Sequence, residues 1–226
     1  MALDSKAFKT RSLTAIVFVI VMLAGLLWNQ WSFIILFTII HFGCWYEFMK
    51  LLKNINPRSY KKLSLLGLFY ITLPIALFLL MRLGNNVYVD NRVLLIVPCG
   101  IIFSIWINDT MAYIVGSLIG KTPLSKISPK KTWEGTIGGA LLCVVTITLI
   151  GNALGYYTYI NWIVIATLSA VFGTLGDLLE SKLKRMANVK DSGAIMPGHG
   201  GFLDRFDSFL VATTFVALYY FLYMNA

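Results

Sequence analysis

Charge is scarce in this sequence. Only 13% of the 226 residues are charged, among them ten carboxylates, and the mean hydropathy is +0.77. Such a composition excludes an ordinary soluble globular protein. Apolar runs that can cross a hydrocarbon core of about 30 Å recur along the whole chain. They lie at residues 12–28, 31–49, 63–81, 93–107, 135–153, 160–179 and 208–224.

The alternation of apolar and polar residues that marks membrane strands is missing from these runs. Only helices and closed barrels satisfy the backbone in lipid, so we predict an all-α fold, a polytopic transmembrane helical bundle of about seven to eight membrane segments. No repeat divides the chain, and we expect one integral membrane domain over residues 1–226. Carboxylates are few in residues 1–92, which we expect to be mainly scaffold, whereas residues 93–226 carry the candidate site.

Several familiar site patterns are absent too. Cys44, Cys99 and Cys143 lie scattered in apolar runs without metal-ligand spacing, which predicts free thiols. His199 is alone in its segment, which argues against a zinc site. The sequence has no Walker A motif, no dinucleotide-binding glycine fingerprint and no G-x-S-x-G elbow.

The positive charges that are present follow the topology. With the N-terminus in the cytoplasm and 93–120 as one crossing, every Lys and Arg except Arg82 and Arg92 lies on the cytoplasmic side. The positive-inside rule favours this arrangement, which predicts seven crossings and an external C-terminus. Because Asn108 and Asp109 interrupt 93–120, a separate crossing by residues 108–120 remains an alternative.

The densest polar cluster lies between two apolar runs, at residues 177–208. It contains half of the carboxylates of the chain, namely Asp177, Glu180, Asp191, Asp204 and Asp207. The glycines of Pro197–Gly201 (PGHGG) allow backbone N–H groups to turn toward an anion. A solvated loop with salt bridges is the simpler alternative, but such a loop does not need PGHGG flanked by carboxylates.

Two shorter polar clusters precede it. In NDTMAYIVGSLIGK, residues 108–121, helical spacing puts Asp109, Tyr113, Gly116 and Gly120 on one face. This face is either a small-residue packing stripe or a polar wall of a cavity. In SPKKTWEG, residues 128–135, a turn presents adjacent cations, which are either interfacial anchors or part of the same site.

The mixture of charges indicates a class of chemistry. Several carboxylates suit a hard divalent cation, above all Mg²⁺, and nearby Lys and Arg suit phosphate oxygens. Together they favour phosphoryl or nucleotidyl transfer, and the position at the membrane surface favours a lipid substrate that bears phosphate. A cation transporter, the alternative from another class, would place carboxylates on several helices near the middle of the bilayer.

The run S-x-x-K-R-x-x-x-x-K-D-x-G-x-x-x-P-G-H-G-G-x-x-D-R-x-D, residues 181–207, resembles the signature of the phosphatidate cytidylyltransferases, or CDP-diacylglycerol synthases. SPKKTWEG and NDTMAY-x-x-G resemble further motifs of that family, in the same order. The resemblance implies transfer of CMP from CTP to phosphatidic acid in phospholipid biosynthesis, with release of pyrophosphate. Related enzymes, a CDP-archaeol synthase or a CTP-dependent polyprenol kinase, are the nearest alternatives.

The resemblance also implies roles for individual residues. Asp177 and Asp204 are the expected Mg²⁺ ligands, with Asp207 and Glu180 as auxiliary ligands, and a second cation, K⁺, is compatible with the family. The expected phosphate-binding cations are Lys184, Arg185, Lys190 and Arg205. The expected pyrophosphate donors are the backbones of Gly198, Gly200 and Gly201, and His199 either donates to a phosphate oxygen or makes a structural hydrogen bond. The remaining expected substrate-binding residues are Asn108, Asp109, Ser128, Lys130, Lys131 and Thr132.

The expected partners are CTP, phosphatidic acid and the lipid bilayer, with no nucleic acid; a homodimer is compatible with this hypothesis. The expected location is the plasma (inner) membrane, with the chain crossing it several times and the active site facing the cytoplasm.

Overall fold

The fold is all-α in a computed structural model that describes residues 5–84, 91–195 and 200–224, without the side chains of 5–11, 91 and 92. The all-α prediction is therefore confirmed. The helices are α1 (Ser5–Leu27), α2 (Gln30–Ile55), α3 (Tyr60–Leu63), α4 (Leu73–Leu83), α5 (Asn91–Ile119), α6 (Trp133–Ala153), α7 (Tyr159–Met186) and α8 (Leu203–Tyr219). Short π-helical turns, Leu68–Thr72 and Tyr220–Met224, precede α4 and follow α8.

Six helical segments of the described chain are long and apolar enough to cross a bilayer. They are Gln30–Ile55, Tyr60–Leu83, Val93–Ile119, Trp133–Leu154, Tyr159–Met186 and Leu203–Met224. By helix composition this is a multi-pass membrane protein. The apolar stretch of α1, Ser12–Leu27, is shorter, so the seventh crossing stays a prediction. Helix α5 runs without a break through Asn108 and Asp109, which favours the single crossing over the separate one.

Polar side chains and proline mark where the helices begin and end. Asn29 starts α2 with a capping box: its side chain accepts from the Ser32 N–H at 2.8 Å, and Ser32 Oγ accepts from the Asn29 N–H at 3.1 Å. Pro57 follows the end of α2, as expected because the residue before proline leaves the helical region. Asn188, with φ 55°, ends α7 in the left-handed conformation.

The described contacts divide the chain into two compact units. The first unit comprises Met1–Ile75 and Leu183–Phe206, and the second comprises Ala76–Lys182 and Asp207–Ala226. Buried apolar side chains of α2, among them Phe33, Phe37 and Ile40, form much of the core of the first unit. The presence of one membrane domain over residues 1–226 stays a prediction.

In the second unit, α5 and α6 pack through small residues. A Cβ added to Gly139 would lie 2.6 Å from the backbone nitrogen of Ala112, and one added to Gly135 would lie 2.9 Å from Gly116 Cα. The backbones thus touch where the small-residue stripe of α5 predicts close approach. Cys143 on α6 donates to the carbonyl of Ser104 on α5 at 3.2 Å. All three cysteines are free, as predicted.

Candidate active site

Three carboxylates converge in the second unit. Oxygens of Asp177, Glu180 and Asp207 lie within 4.8 Å of one another. Glu180 is fully buried and Asp207 is 8% exposed, while the Asp177 side chain is 21% exposed. The group is therefore buried on one side and accessible at Asp177.

The sequence assembles this group from two helices. Asp177 and Glu180 are three residues apart on α7, so they share a face. Gly176 precedes Asp177 on α7 and packs against the backbone of α8. It has no room for a side chain, because its Cβ would lie 2.5 Å from the Asp207 carbonyl oxygen. The glycine lets α8 approach α7 closely enough for Asp207 to join the other two carboxylates.

The loop between α5 and α6 brings a cation to the same group. It folds back on itself: Pro123 and Thr132 form a β-bridge, and the Leu124 N–H donates to the Lys131 carbonyl at 2.8 Å. Thr132 then caps α6 by accepting from the Gly135 N–H at 3.1 Å. This fold directs Lys131 into an ion pair with Asp177.

Several carboxylates stabilise the protonated form of Lys131. Burial lowers the pKa of its amine, but attraction to Asp177, and further attraction to Asp109 and Asp207, outweighs burial and raises that pKa above its ordinary value of 10.5. Lys131 is therefore protonated at neutral pH. If all three clustered carboxylates are ionised, one lysine still leaves a surplus of two negative charges.

This donor set fits a divalent cation. Its ligand atoms are all carboxylate oxygens, which are the ligands of hard cations such as Mg²⁺. Opposite ligands of Mg²⁺ lie about 4.2 Å apart, twice the usual Mg–O distance. Only modest side-chain rotation is therefore needed to close the group around an ion, and a divalent charge would match the surplus of the fully ionised group.

Next to this group lies a small polar cavity. It has a volume of about 130 Å³ and is lined by Ala112, Tyr113, Gly116, Ser117, Lys130, Lys131, Thr132 and Thr136. Ordinary ligand pockets exceed about 300 Å³, so the cavity has room for a phosphate-sized part of a nucleotide only. It is bordered by both the helical face of α5 and the lysine-containing loop, the two shorter clusters that the sequence predicts to belong to the site.

The other predicted residues of the second unit lie on α5 and in the loop that follows it. Asn108 is 3% exposed, and its amide nitrogen lies 3.5 Å from Asp109 Oδ1, at the margin of a hydrogen bond. Asp109 and Lys130 are exposed. The Ser128 carbonyl accepts from the Lys131 N–H at 3.1 Å, which tightens the turn beneath Lys131.

Asp204 belongs to the first unit, where it accepts a dense set of hydrogen bonds. Its Oδ1 pairs with Lys184 Nζ at 2.6 Å, and its Oδ2 accepts from the N–H groups of Ser192 at 2.9 Å and Gly201 at 2.8 Å. Gly200 has φ 81°, a conformation that favours glycine. Asp177 and Asp204 thus lie in different units, and their pairing at one cation stays a prediction.

The remaining predicted cations of the first unit face solvent. Arg185, Lys190 and Arg205 are exposed, as phosphate-binding side chains that reach from a surface must be. Lys184 differs from them, because its side chain is only 13% exposed and pairs with Asp204. The predicted roles of Gly198 and His199 fall outside the described residues.

Two buried residues with polar roles escaped the sequence analysis. Glu47 on α2 and Ser192 are 1% and 2% exposed, and the Ser192 hydroxyl lies 2.7 Å from Glu47 Oε2. The sequence held one signal for Glu47, a carboxylate inside a long apolar run, where charge is costly and usually functional. Glu180, expected to be auxiliary, is a full member of the carboxylate group.

Comparison with known proteins places these residues in a family context. The model of the cytidylyltransferase family matches residues 58–223. The chain is 44% identical over 131 residues to phosphatidate cytidylyltransferase 5, chloroplastic, of Arabidopsis thaliana. This match covers 56% of this chain and 32% of that protein. It is 49% identical over 114 residues to the phosphatidate cytidylyltransferase of Bacillus subtilis (strain 168). That match covers 50% of this chain and 42% of the relative.

A relative from Staphylococcus saprophyticus, also a phosphatidate cytidylyltransferase, is 49% identical over 109 residues, or 47% of this chain and 42% of the relative. The chain thus spans about a third to two fifths of the length of these curated relatives. The family match includes all residues of the carboxylate group and Lys131, whereas Glu47 lies before it.

Proposed function

The chain belongs to the cytidylyltransferase family, and from this premise we propose that it is a phosphatidate cytidylyltransferase. Its reaction converts CTP and phosphatidic acid to CDP-diacylglycerol and pyrophosphate. The observation that carries the proposal is the group Asp177, Glu180 and Asp207 with Lys131 beside it. A divalent cation site next to a lysine is what the union of two phosphate-bearing substrates requires.

The proposed reaction asks little of acid–base catalysis. An ionised phosphate oxygen of phosphatidic acid attacks the α-phosphorus of CTP, a new P–O bond forms, and the bond from the α-phosphorus to the bridging oxygen breaks. Pyrophosphate leaves with that electron pair. Because the nucleophile is already an anion at neutral pH, the obstacle is repulsion between two polyanions, which positioned positive charge relieves.

Asp177, Glu180 and Asp207 are proposed to hold Mg²⁺, which when bound neutralises phosphate charge and polarises the phosphoryl oxygens. Lys131 is proposed to pass from its carboxylate partner to a phosphate oxygen of CTP, with Lys130 and Thr132 at the edge of the adjacent cavity. The exposed cations Arg185, Lys190 and Arg205 are proposed to bind further phosphate oxygens. Asp204 remains a proposed ligand, and K⁺ a proposed second cation.

The site is proposed to face the cytoplasm, where CTP is present. In the second unit, the lysine loop joins the end of α5 to the start of α6 and pairs with Asp177 on α7. Lysines concentrate in that loop, in accord with the positive-inside rule. A site on this face can take a phospholipid from the inner leaflet of the plasma membrane.

The test uses purified protein in detergent micelles with phosphatidic acid and Mg²⁺. The CTP is labelled at the α-phosphorus in one reaction and at the γ-phosphorus in another. In cytidylyl transfer, only the α label enters the lipid fraction. The pyrophosphate released from α-labelled CTP carries no label. A CTP-dependent lipid kinase carries only the γ label into lipid, and this outcome would refute the proposal.

Two controls make the result specific. Chelation of Mg²⁺ should abolish transfer of the α label, and addition of Mg²⁺ should restore it. Archaetidic acid, an ether lipid, replaces phosphatidic acid in a parallel reaction; a strong preference for the ether lipid would assign the site to the archaeol branch instead.

A further inference from the structure

Glu47 is a buried carboxylate that the proposed reaction leaves without a role. It lies on α2, inside a segment apolar enough to span the membrane, and it is only 1% exposed. Burial of a charged group in such a place is costly unless hydrogen bonds compensate it. A residue kept there only to fill the core would be apolar.

Glu47 accepts backbone hydrogen bonds from the segment that leads into α8. Its Oε1 accepts from the Phe202 N–H at 3.0 Å, and its Oε2 accepts from the Leu203 N–H at 2.8 Å. Leu203 is the first residue of α8, so these N–H groups have no acceptor within the helix. A side chain from a distant helix thus supplies the acceptors that a local capping residue usually provides.

A serine extends this arrangement to Asp204. The Ser192 hydroxyl lies 2.7 Å from Glu47 Oε2 and 2.9 Å from Asp204 Oδ2. A hydroxyl has one proton to donate. Asp204 also receives two backbone N–H groups and Lys184, so the serine proton is best used by Glu47. Its oxygen also accepts from the Asp204 N–H at 3.3 Å, so one hydroxyl joins Glu47 to the Asp204 backbone.

Two glycines make room for this contact. A Cβ at Gly193 would lie 2.7 Å from the carboxyl carbon of Glu47, and a Cβ at Gly201 would collide with the carboxylate oxygens of the same residue. The backbone therefore lies directly against the carboxylate on both sides of the segment. Such contact requires a fixed position of the Glu47 side chain.

We propose that Glu47 is a positioning residue that fixes Asp204 and, through it, Lys184 in the geometry needed for cytidylyl transfer. The inference rests on the proposed function for its catalytic consequence only. Glu47 does not touch the reacting groups. It acts by holding the backbone at residues 201–203 and by orienting Ser192 toward Asp204.

The test compares Glu47→Gln with Ser192→Ala. Glutamine keeps the shape of Glu47 but presents an NH₂ donor to groups that are themselves donors, so it disrupts the contact with little change in volume. Loss of such a supporting partner typically lowers activity about 10- to 100-fold. We expect Glu47→Gln to lower kcat by that factor, with a change in the KM for CTP of less than about threefold.

Ser192→Ala removes the hydroxyl but keeps the N–H of residue 192 that donates to Asp204 and the two N–H groups that donate to Glu47, so we expect a smaller decrease in kcat. The double variant should be no worse than Glu47→Gln alone, because both substitutions break one network. Tyr46→Leu, at the neighbouring position that is 70% exposed, is the control and should retain wild-type kcat. Thermal unfolding of each variant shows that the assayed protein is folded.

Hydrogen exchange of the backbone at residues 201–203 gives a second readout that does not depend on turnover. These amides should exchange faster in Glu47→Gln and at the wild-type rate in Tyr46→Leu, because exchange reports local opening. If Glu47→Gln lowers only Tm, with wild-type kcat and wild-type exchange, Glu47 is a packing residue and the inference is wrong. If the wild-type protein makes no CDP-lipid, the proposed function fails, and unchanged exchange in Glu47→Gln separately overturns the positioning role.

Discussion

At the scale of single residues, the charge balance around Asp177 governs the behaviour of the site. Asp177 is both the accessible member of the carboxylate group and the partner of Lys131. Its two neighbours in the group are buried. A change at Asp177 therefore acts on the cation and on the lysine at the same time.

Asp177→Asn should lower turnover at least about 100-fold, because loss of one ligand charge removes several kcal/mol of phosphate neutralisation. The α-label assay measures turnover, and calorimetric titration with Mg²⁺ measures cation binding, which should weaken in parallel. Asp191→Asn makes the same chemical change at an exposed position and is the matched control. Equal Mg²⁺ affinity in Asp177→Asn and the control would remove Asp177 from the metal site.

Lys131→Met should strengthen Mg²⁺ binding and lower turnover. Without the lysine, the carboxylates keep a larger negative surplus, so Mg²⁺ should bind about twofold to fivefold more tightly, the range expected for a partly exposed ion pair. Turnover should fall, because a phosphate partner is lost. Titration with Mg²⁺ and the α-label assay check both effects, with Lys126→Met, an exposed position of the same loop, as the control. Weaker Mg²⁺ binding in Lys131→Met would contradict this account.

At the scale of secondary-structure elements, the α5–α6 pair holds the lysine loop in place. The two backbones meet at Ala112 and Gly139, so there is no flexible side chain between them that could yield. Gly173 on α7 is a useful contrast. A Cβ there would lie 3.6 Å from Ser208 Cβ, an ordinary contact.

Gly139→Ala should therefore lower the free energy of unfolding by about 1–3 kcal/mol, the usual cost of overpacking. Gly173→Ala, the matched control, should leave it unchanged or raise it by up to about 1 kcal/mol, because alanine favours the helix. Thermal unfolding in one detergent measures both. A Gly139→Ala protein as stable as Gly173→Ala would show that α5 and α6 can separate without cost.

The helices could be predicted from the sequence because length and hydropathy are local properties. The spacing of Asp177 and Glu180 also predicts a shared face. Asp207 could be predicted as an auxiliary ligand only from the family resemblance, because its place beside that face depends on how closely α8 packs at Gly176. Glu47 was harder still: it lies 145 residues from Ser192 along the chain, and no periodic pattern reports such a contact.

At the scale of the whole molecule, the crossings determine which side of the membrane each loop faces. Helix α6 is long enough to cross once, so the loop that holds Lys126 and the loop that holds Tyr156 should lie on opposite sides. The charge distribution predicts that the lysine-containing loop is cytoplasmic.

Single cysteines at these two positions test that prediction in a background without the native cysteines. In intact cells, a membrane-impermeant maleimide should label Tyr156→Cys, whereas Lys126→Cys should be labelled only after permeabilisation. The reverse pattern would put the proposed active site on the outer face, where CTP is absent. A variant with cysteine at neither position measures background labelling.

The close contact at Gly176 also bears on how the protein is made. The ribosome produces Lys131 first, then Asp177 and Glu180, and Asp207 last. Until α8 has entered the bilayer and docked on α7, the nascent chain has two acidic groups near one lysine and lacks the third. The ability to bind a divalent ion therefore arises late in biogenesis, and an intermediate stalled before α8 should be inactive.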